Sequence, residues 1–444
     1  MKHIRQLHRK RYLLKLYQMK KLSLILFLIF SLKTYAQKLT AEEKQIIAEI
    51  NKQMPQTLQL LEQSVNINSG THNMEGVKNV GLILKKEFDK IGFTTEWISL
   101  PDSLKRAGHL VASVNGKKGK KLFLIGHLDT VFEPDMPANP YKKLNDSTAT
   151  GQGVVDMKGG NMMILSALQA LHKLGLLKNT AITAYFTGDE EKSGSPDSVS
   201  RADFIKRAKQ ADIALGFEGG NLKNAVTARR GSSDWQLTVT GRQAHSAGVF
   251  SSNYGSIYEA ARIINAFREE LSKEKYLTFN PGIFIGGSEI VYDSANISAS
   301  VSGKLNIISP ITYVQGDLRF LTEEQKNNAR IKMKKIATTN NLGATSARIS
   351  FDDGIPSMEP TAGNNALVNI LSKVSTDMGI GPTTAGDPGS RGAGDISYIA
   401  KYLDCLDGLG ASGRGAHAPG EIINLKEFPI LTQRAAIFIY RLIK

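Results

Sequence analysis

From residue 37 to about 229 the hydrophobic positions keep two alternating rhythms. Short unbroken apolar runs have the length and β-branched content of buried strands: Lys121-Leu122-Phe123-Leu124-Ile125-Gly126, Ala181-Ile182-Thr183-Ala184-Tyr185-Phe186 and Asp212-Ile213-Ala214-Leu215-Gly216-Phe217. Elsewhere the apolar residues recur at helical spacing. This holds for Val77 to Ile91, for the segment opened by Asp156-Met157-Lys158-Gly159-Gly160 that carries Met162, Met163, Leu165, Leu168 and Leu171, and for Phe204 to Ala208. Thr40-Ala41-Glu42-Glu43, ahead of Ile46, Ile47 and Ile50, has the form of a capping box, in which threonine and glutamate each satisfy an amide the helix start leaves unpaired. Strands alternating with helices require crossover connections, which predict an α/β domain with a mostly parallel sheet and helices on both faces.

After Arg229-Arg230-Gly231 the rhythm changes. The alternation of Trp235-Gln236-Leu237-Thr238-Val239-Thr240 predicts a half-buried strand. A helix from about Tyr254 to Leu271, strand-like runs at Gly282 to Ile285 and Gly316 to Phe320, a helix from about Glu323 to Thr339 and a strand at Ala347 to Phe351 follow. The β-α-β-β-α-β order predicts a small ferredoxin-like α+β unit inserted in the larger domain, whose pattern resumes near Ile355. The expected organisation is a leader over 1–36, a first catalytic part over 37–229, the insert over 230–352 and a second catalytic part over 353–444.

With 444 residues, 41% of them hydrophobic, the chain can bury a sizeable core and has room for more than one domain. Its net charge of +15 resembles a nucleic-acid signal until the charge is located. Residues 1–36 hold nine Lys or Arg and no Asp or Glu, and without them +15 falls to +6. That balance requires no nucleic-acid partner. In the same leader Lys20-Lys21 precede the apolar run Leu22 to Leu32, too short for a comfortable membrane span, and then Thr34-Tyr35-Ala36. This is the form of a signal peptide with a small-residue cleavage site, with Met19 a candidate natural start and an uncleaved anchor the alternative. Export to the periplasm or medium, with no membrane span left after cleavage, is the expected outcome. Cys405, the single cysteine, excludes intrachain disulfides and thiolate-rich metal sites, and its apolar surroundings predict a buried, inert thiol.

The predicted strands share one property. Acids or histidine follow their carboxyl ends: His127-Leu128-Asp129 after the first, Gly188-Asp189-Glu190-Glu191 after the second, Glu218 after the third. In open α/β sheets ligand sites form beyond those ends, so the three segments are expected to converge on one crevice. With Asp156 and the distant His417 they make a sulfur-free set of imidazole and carboxylate donors, suited to zinc and also to cobalt or manganese. Two metals about 3.5–4 Å apart, bridged by one carboxylate, use five such ligands and leave one glutamate over to move a proton. His72, His109 and His172 match no motif and are expected on the surface or in loops.

In this order and spacing, Gly126-His127-Leu128-Asp129-Thr130-Val131, Gly151 to Gly160, Thr187-Gly188-Asp189-Glu190-Glu191, Phe217-Glu218 and Gly415-Ala416-His417-Ala418-Pro419 resemble the two-zinc metallopeptidases that include glutamate carboxypeptidase, acetylornithine deacetylase and succinyl-diaminopimelate desuccinylase. The resemblance covers nearly all of the chain after the leader. It implies that Asp156 bridges two zincs, one held also by His127 and Glu218 and the other by Glu191 and His417, and that the Asp156-Met157 peptide is cis and strained. It implies Glu190 as general base and Asp129 as the partner of the far nitrogen of His127. Gly241 to Gly248 resembles the histidine motif of the family's dimerisation or lid domain, in which the histidine, here His245, reaches the partner subunit's active site and stabilises an oxyanion. A homodimer through the insert is implied. Asn306 and Arg319 occupy positions where the family carries contacts to a substrate carboxylate.

Two departures stand out. Ile355-Pro356-Ser357-Met358 replaces Arg-Pro-Pro-Met, and Arg391-Gly392-Ala393-Gly394-Asp395-Ile396 replaces Gly-Gly-x-Ser-Asp-Gly, so that Arg391, beside Gly392, offers a substitute charge for substrate contact. Glutamate at 218 accompanies carboxypeptidases and deacylases in the family, aspartate the aminopeptidases and dipeptidases. The expected activity is removal of a C-terminal residue from a small peptide or of an acyl group from an N-acyl amino acid. A dipeptidase of the same family, and an inactive peptide-binding protein on the same scaffold, are the alternatives.

Overall fold

The computed structural model describes residues 39–294 and 296–444. The expected leader over 1–36 lies outside them, and among the described residues no helix is long and apolar enough to cross a membrane. The main sheet has six strands in the order Thr94–Ile98, His109–Val114, Thr180–Thr187, Lys118–His127, Ile213–Gly216, Asp404–Leu406. The last four run parallel and the first two are antiparallel additions on one edge.

Residue alternation along these strands sorts the two faces. Leu122 and Leu124 join Ile182, Ala184 and Phe186 in one buried cluster, while Phe123 and Ile125 face Tyr185, Phe204 and Ala214 in another. The first face is covered by helices Ala41–Val65, Met74–Lys90, Lys158–Lys173, Ala362–Asp377 and Glu427–Ile443. Ala41–Val65 begins with the expected capping box, Thr40 and Glu43 each accepting the other's amide. Glu427–Ile443 buries Phe428, Leu431, Ile437, Phe438 and Ile439. At about 1.5–3 kcal/mol for each such side chain, this is enough to fix the C-terminus onto the sheet.

The insert has its own sheet, in the order Thr278–Gly287, Ile311–Phe320, Gly231–Gly241, Thr345–Asp353, all antiparallel. Helices Gly255–Leu271 and Glu323–Thr338 cover one face, around a separate core of Trp235, Leu237, Val239, Phe267, Val314 and Met333. An exposed hairpin, Glu289–Asp293 with Ser298–Ser302, interrupts the expected β-α-β-β-α-β order between its second and third strands. Its residues lack the buried alternation that marks the other strands.

A third, small sheet serves the site. Gly413–Arg414 pairs with Ile422–Asn424, and that strand pairs with Thr148–Thr150, which bring the loop holding His417 beside the loop that leads to Asp156. The peptide bond between Asp156 and Met157 is cis.

Candidate metal centre

Strand pairing alone brings three of the acidic segments together. His127 ends the central strand opposite Thr187, and the Leu128 amide donates to the Thr187 carbonyl at 2.7 Å. On the other side Ile125 pairs with Gly216, and the Phe217 amide donates to Ile125 at 3.1 Å. Glu190, Glu191 and Glu218 therefore leave neighbouring strands at one end of the sheet, and the small sheet adds Asp156 and His417 from above.

His127 is buried, and its Nδ1 lies 3.0 Å from the backbone carbonyl of Asp129. A proton donated there leaves Nε2 as the free lone pair, facing Asp156 Oδ1 at 3.2 Å and Glu218 Oε1 at 3.6 Å. The Asp129 carboxylate, expected to be the partner of Nδ1, is 3.5 Å away. Its closer contacts are elsewhere: Oδ1 accepts the Glu190 amide at 3.0 Å, and Oδ2 accepts the Glu191 amide at 3.1 Å and the Thr71 hydroxyl at 2.7 Å. Asp129 thus orients the imidazole mainly through its main chain and holds the Glu190-Glu191 turn with its side chain.

On the far side His417, at φ 65, turns Nε2 towards Asp156 Oδ2 at 2.9 Å and Glu191 Oε2 at 3.2 Å. Asp156 therefore gives one oxygen to each histidine, and each histidine has a further glutamate. The two halves differ in access: the His127 side chain is 1% exposed and that of His417 60%. Glu421, missed in the sequence, supports the bridge from beneath. Its Oε1 accepts the amides of Val155 at 2.6 Å and Asp156 at 2.9 Å, and its Oε2 that of Gly153 at 3.1 Å.

The charges are crowded. Burial pushes Glu218 up to about 8, and Asp156 adds to the rise, against the pull of His127 and Arg229. Glu190 is raised too, by burial and, against the pull of His127, by the neighbouring carboxylates of Glu218, Asp395 and Glu191. Glu191 is raised as well, chiefly by burial. His417 is pushed up to about 11 by its bonds to Asp156 and Glu191. For His127 and Asp156 burial opposes the charged form, yet Asp129 and Asp156 together raise the imidazole, and His127 and His417 hold the Asp156 carboxyl far below its usual range.

A divalent cation fits this set. All donors are imidazole nitrogen or carboxylate oxygen, and His127, Asp156 and Glu191 place one donor atom each within 4.8 Å of one another, as do His127, Glu190 and Glu218. Glu191 Oε1 is buried with no hydrogen-bond partner among the described residues, as a reserved ligand atom would be. By distance alone Glu190 too falls within ligand reach.

The other expected site residues divide into two groups. Arg391 lines a cavity of about 740 Å³ with Val155, Gly219 and Ala416, the chain neighbours of Asp156, Glu218 and His417. The Gly392 carbonyl accepts a bond from Arg229 Nη1 at 3.1 Å. His245 and Asn306 lie side by side on the insert, Asn306 Nδ2 3.4 Å from His245 Nε2, both exposed. Arg319 pairs with Asp317 at 2.9 Å on the insert's own sheet, and among the described residues no hydrogen bond or ion pair joins it to a metal-ligand candidate.

One expectation fails. His109 is fully buried at the start of a sheet strand, where Nδ1 accepts the Gly188 amide at 3.2 Å and Nε2 faces the Ser200 carbonyl at 3.0 Å. Burial lowers its pKa and keeps it a neutral prop behind the Asp189-Glu190-Glu191 turn. His72, paired with Glu133 at 2.7 Å, and His172 are exposed, as expected. Beside His109 lies a buried network missed in the sequence. Arg201 donates to Asp189 Oδ1 at 2.5 Å and to Asp395 Oδ1 at 2.8 Å, and Thr187 donates to Asp395 Oδ2 at 2.5 Å. Asp189, adjacent to the two glutamates, was the one sequence signal pointing to it.

Known proteins share this arrangement of elements. The chain is 28% identical over 384 residues to carboxypeptidase G2 of Pseudomonas sp. (strain RS-16), covering 85% of this chain and 87% of that one. Aminopeptidase PepT of Bacillus cereus superposes with a TM-score of 0.71 at 18% identity, over 87% of this chain and 98% of that one. The YXEP protein of Bacillus subtilis, a dinuclear metal-binding peptidase of the M20 family, superposes with a TM-score of 0.62 at 12% identity, over 88% and 98%. Residues 123–441 match the family described as peptidase family M20/M25/M40, and the chain belongs to that family of metal-dependent hydrolases.

Proposed function

We propose that this chain is a two-zinc amide hydrolase of the carboxypeptidase type, which removes the C-terminal residue of a small peptide or the acyl group of an N-acyl amino acid. The observation that carries the proposal is the division of Asp156, with Oδ1 towards His127 and Oδ2 towards His417, and with Glu218 and Glu191 completing the two halves. The sulfur-free donors suit zinc, with cobalt or manganese as substitutes. Bound there, two such ions supply Lewis-acid polarisation of the scissile carbonyl and lower the pKa of the attacking water.

Within this reading the protein's own groups do the following. Glu190, kept basic enough by burial and its acidic neighbours, accepts the proton of the attacking water and returns it to the departing amine. Asp129 fixes the turn that aims Glu190. Arg391, in the cavity beside the three ligand segments, meets a substrate carboxylate in place of the arginine that Ile355 replaces, with the backbone of Gly392 alongside. His245 and Asn306 serve the partner subunit of a homodimer formed through the insert, which accounts for their exposed position away from their own chain's metal ligands; Arg319 is a weaker candidate for the same surface. Glutamate at 218 and the carboxypeptidase G2 relative favour the carboxypeptidase or deacylase reaction over a dipeptidase. The basic, apolar leader over 1–36 supports export to the periplasm or medium.

Metal analysis and turnover of the chain starting at Gln37 test the proposal on N-acyl amino acids, C-terminally extended peptides and free dipeptides. Two zinc ions per chain and turnover of the first two classes are expected. Cleavage of dipeptides alone would transfer the chain to the dipeptidases, and a fully loaded protein that hydrolyses none of them would refute the reading.

A further inference from the structure

The insert joins the catalytic body through two chain segments that run side by side. Arg229 and Met358 exchange backbone hydrogen bonds at 2.9 and 3.0 Å, the Ser232 amide donates to Ile355 at 2.8 Å, and the Gly354 amide donates to Ser232 at 3.1 Å. Any swing of the insert has to bend these segments, since they are its only covalent links to the body.

The Arg229 side chain turns from this hinge into the body and is buried there. Its Nε donates to Asp407 Oδ2 at 2.7 Å, and its Nη1 donates to the carbonyls of Gly392 at 3.1 Å and Ala393 at 3.4 Å. The loop backbone lies flat against the guanidinium. A Cβ added at Gly394 would come within 3.3 Å of Arg229 Cζ and Nη1, close enough that the guanidinium would have to give by a few tenths of an ångström. Asp407 in turn follows the strand Asp404–Leu406, which pairs with Ile213–Gly216, the strand that leads to Glu218. A Cβ on Gly216 would meet Asp407 Oδ1 at 2.3 Å, and the Gly410 amide donates to the Glu218 carbonyl at 3.0 Å.

Arg229 therefore links the hinge, the glycine-rich loop and, through Asp407, the strand end that lies beside the one presenting Glu218. We infer that Arg229 is a positioning residue, which keeps the loop of residues 391–395 in register with Glu218 and makes that loop follow the hinge of the insert. The inference rests on the hydrolytic reading of the metal centre for its kinetic consequence, and on geometry alone for its structural one. A guanidinium is suited to this task because its planar fork serves a carboxylate and two carbonyls at once, which an ammonium cannot do with the same directions.

The test uses the metal-loaded full chain with two variants. Arg229→Lys keeps the charge, and Arg229→Met with Asp407→Asn removes both charges together, so that no buried ion is left unpaired. Hydrogen exchange is read by mass spectrometry, with metal content and steady-state kinetics measured alongside. Exchange of 389–396 and 354–358 is expected to speed up together by about tenfold or more while strands 122–127 and 182–187 keep their protection. The metal content is expected to hold while kcat/KM falls by about tenfold or more, chiefly through KM, because the loop lines the cavity beside the ligands. Wild-type exchange in both segments overturns the inference, as does an equal acceleration of every segment. If the wild-type protein turns over no amide, the hydrolytic reading fails, and the exchange pattern still decides the role of Arg229.

Discussion

Glu421 holds Asp156 by its main chain, accepting the Asp156 amide at 2.9 Å while the Asp156 side chain reaches two histidines on the other side. The same carboxylate takes the amides of Gly153 and Val155. Glu421→Gln places an amide NH₂ against at least one of these N–H groups and loosens the loop. Metal affinity is expected to fall by about 10–100-fold, the usual cost of losing a group that orients a ligand. Competition with a chromophoric chelator measures it, and unchanged affinity would show that the loop holds its shape without Glu421.

The two adjacent glutamates are expected to part company on mutation. Glu190→Gln should leave the metal content near wild type and lower kcat by about 10²–10⁴-fold, since it removes the proton acceptor. Glu191→Gln should lose metal, because Oε2 pairs with His417 and the buried Oε1 has no other partner. Metal analysis beside single-turnover kinetics separates the two. Equal metal loss in both variants would give Glu190 a ligand's role, which its distance permits.

Protons compete for this site. Without metal, His417 titrates at about 11 and Glu218 at about 8, so at neutral pH both hold protons that an arriving cation has to displace. Affinity should therefore rise with pH by roughly tenfold per unit for each proton displaced, steeply while both groups hold protons below about 8 and more gently from there to about 11, where only His417 still holds one. A flat profile between pH 6 and 8, measured by metal-buffer titration, would mean that both groups are already deprotonated when metal arrives.

Arg201 neutralises Asp189 and Asp395 in a fully buried network. Arg201→Met leaves two buried carboxylates unpaired, and a loss of about 3–5 kcal/mol is expected in urea unfolding. Adding Asp395→Asn should restore part of that loss. A single variant within about 0.5 kcal/mol of wild type, the range of an ordinary surface substitution, would show that water reaches the network.

Much of the centre is legible in the sequence because it is built at strand ends. Apolar runs identify the strands, and the residues that follow them, His127, Glu190, Glu191 and Glu218, are carried by the sheet's geometry. What supports those residues is not legible. Glu421 meets Gly153 across 268 positions, Arg201 meets Asp395 across 194, and Arg229 meets Asp407 across 178. No local pattern distinguishes a glutamate that will be buried under a loop from one that faces water. His109 reads as a stray polar residue until the Gly188 amide is found against it. The Asp129 role was half visible: its spacing from His127 is local, but its bonds to Glu190 and Glu191 are not. The exposed hairpin over 289–302 escaped notice because none of its described residues is fully buried, so its few contacts, such as Tyr292 stacked on Tyr313, impose no hydrophobic rhythm.

The paired segments at the root of the insert have one more consequence, for how such a chain can be shortened. Ser232 and Gly354 are already hydrogen-bonded neighbours, so a turn of about two to four residues could join the two segments there and bypass the stretch between them. His127, Asp156, Glu191, Glu218 and His417 all lie outside that stretch, as do the six strands of the main sheet. A chain closed by such a turn, with the stretch between removed, is expected to keep its six-stranded sheet and its metal, and circular dichroism beside metal analysis would show whether the body needs the insert in order to fold.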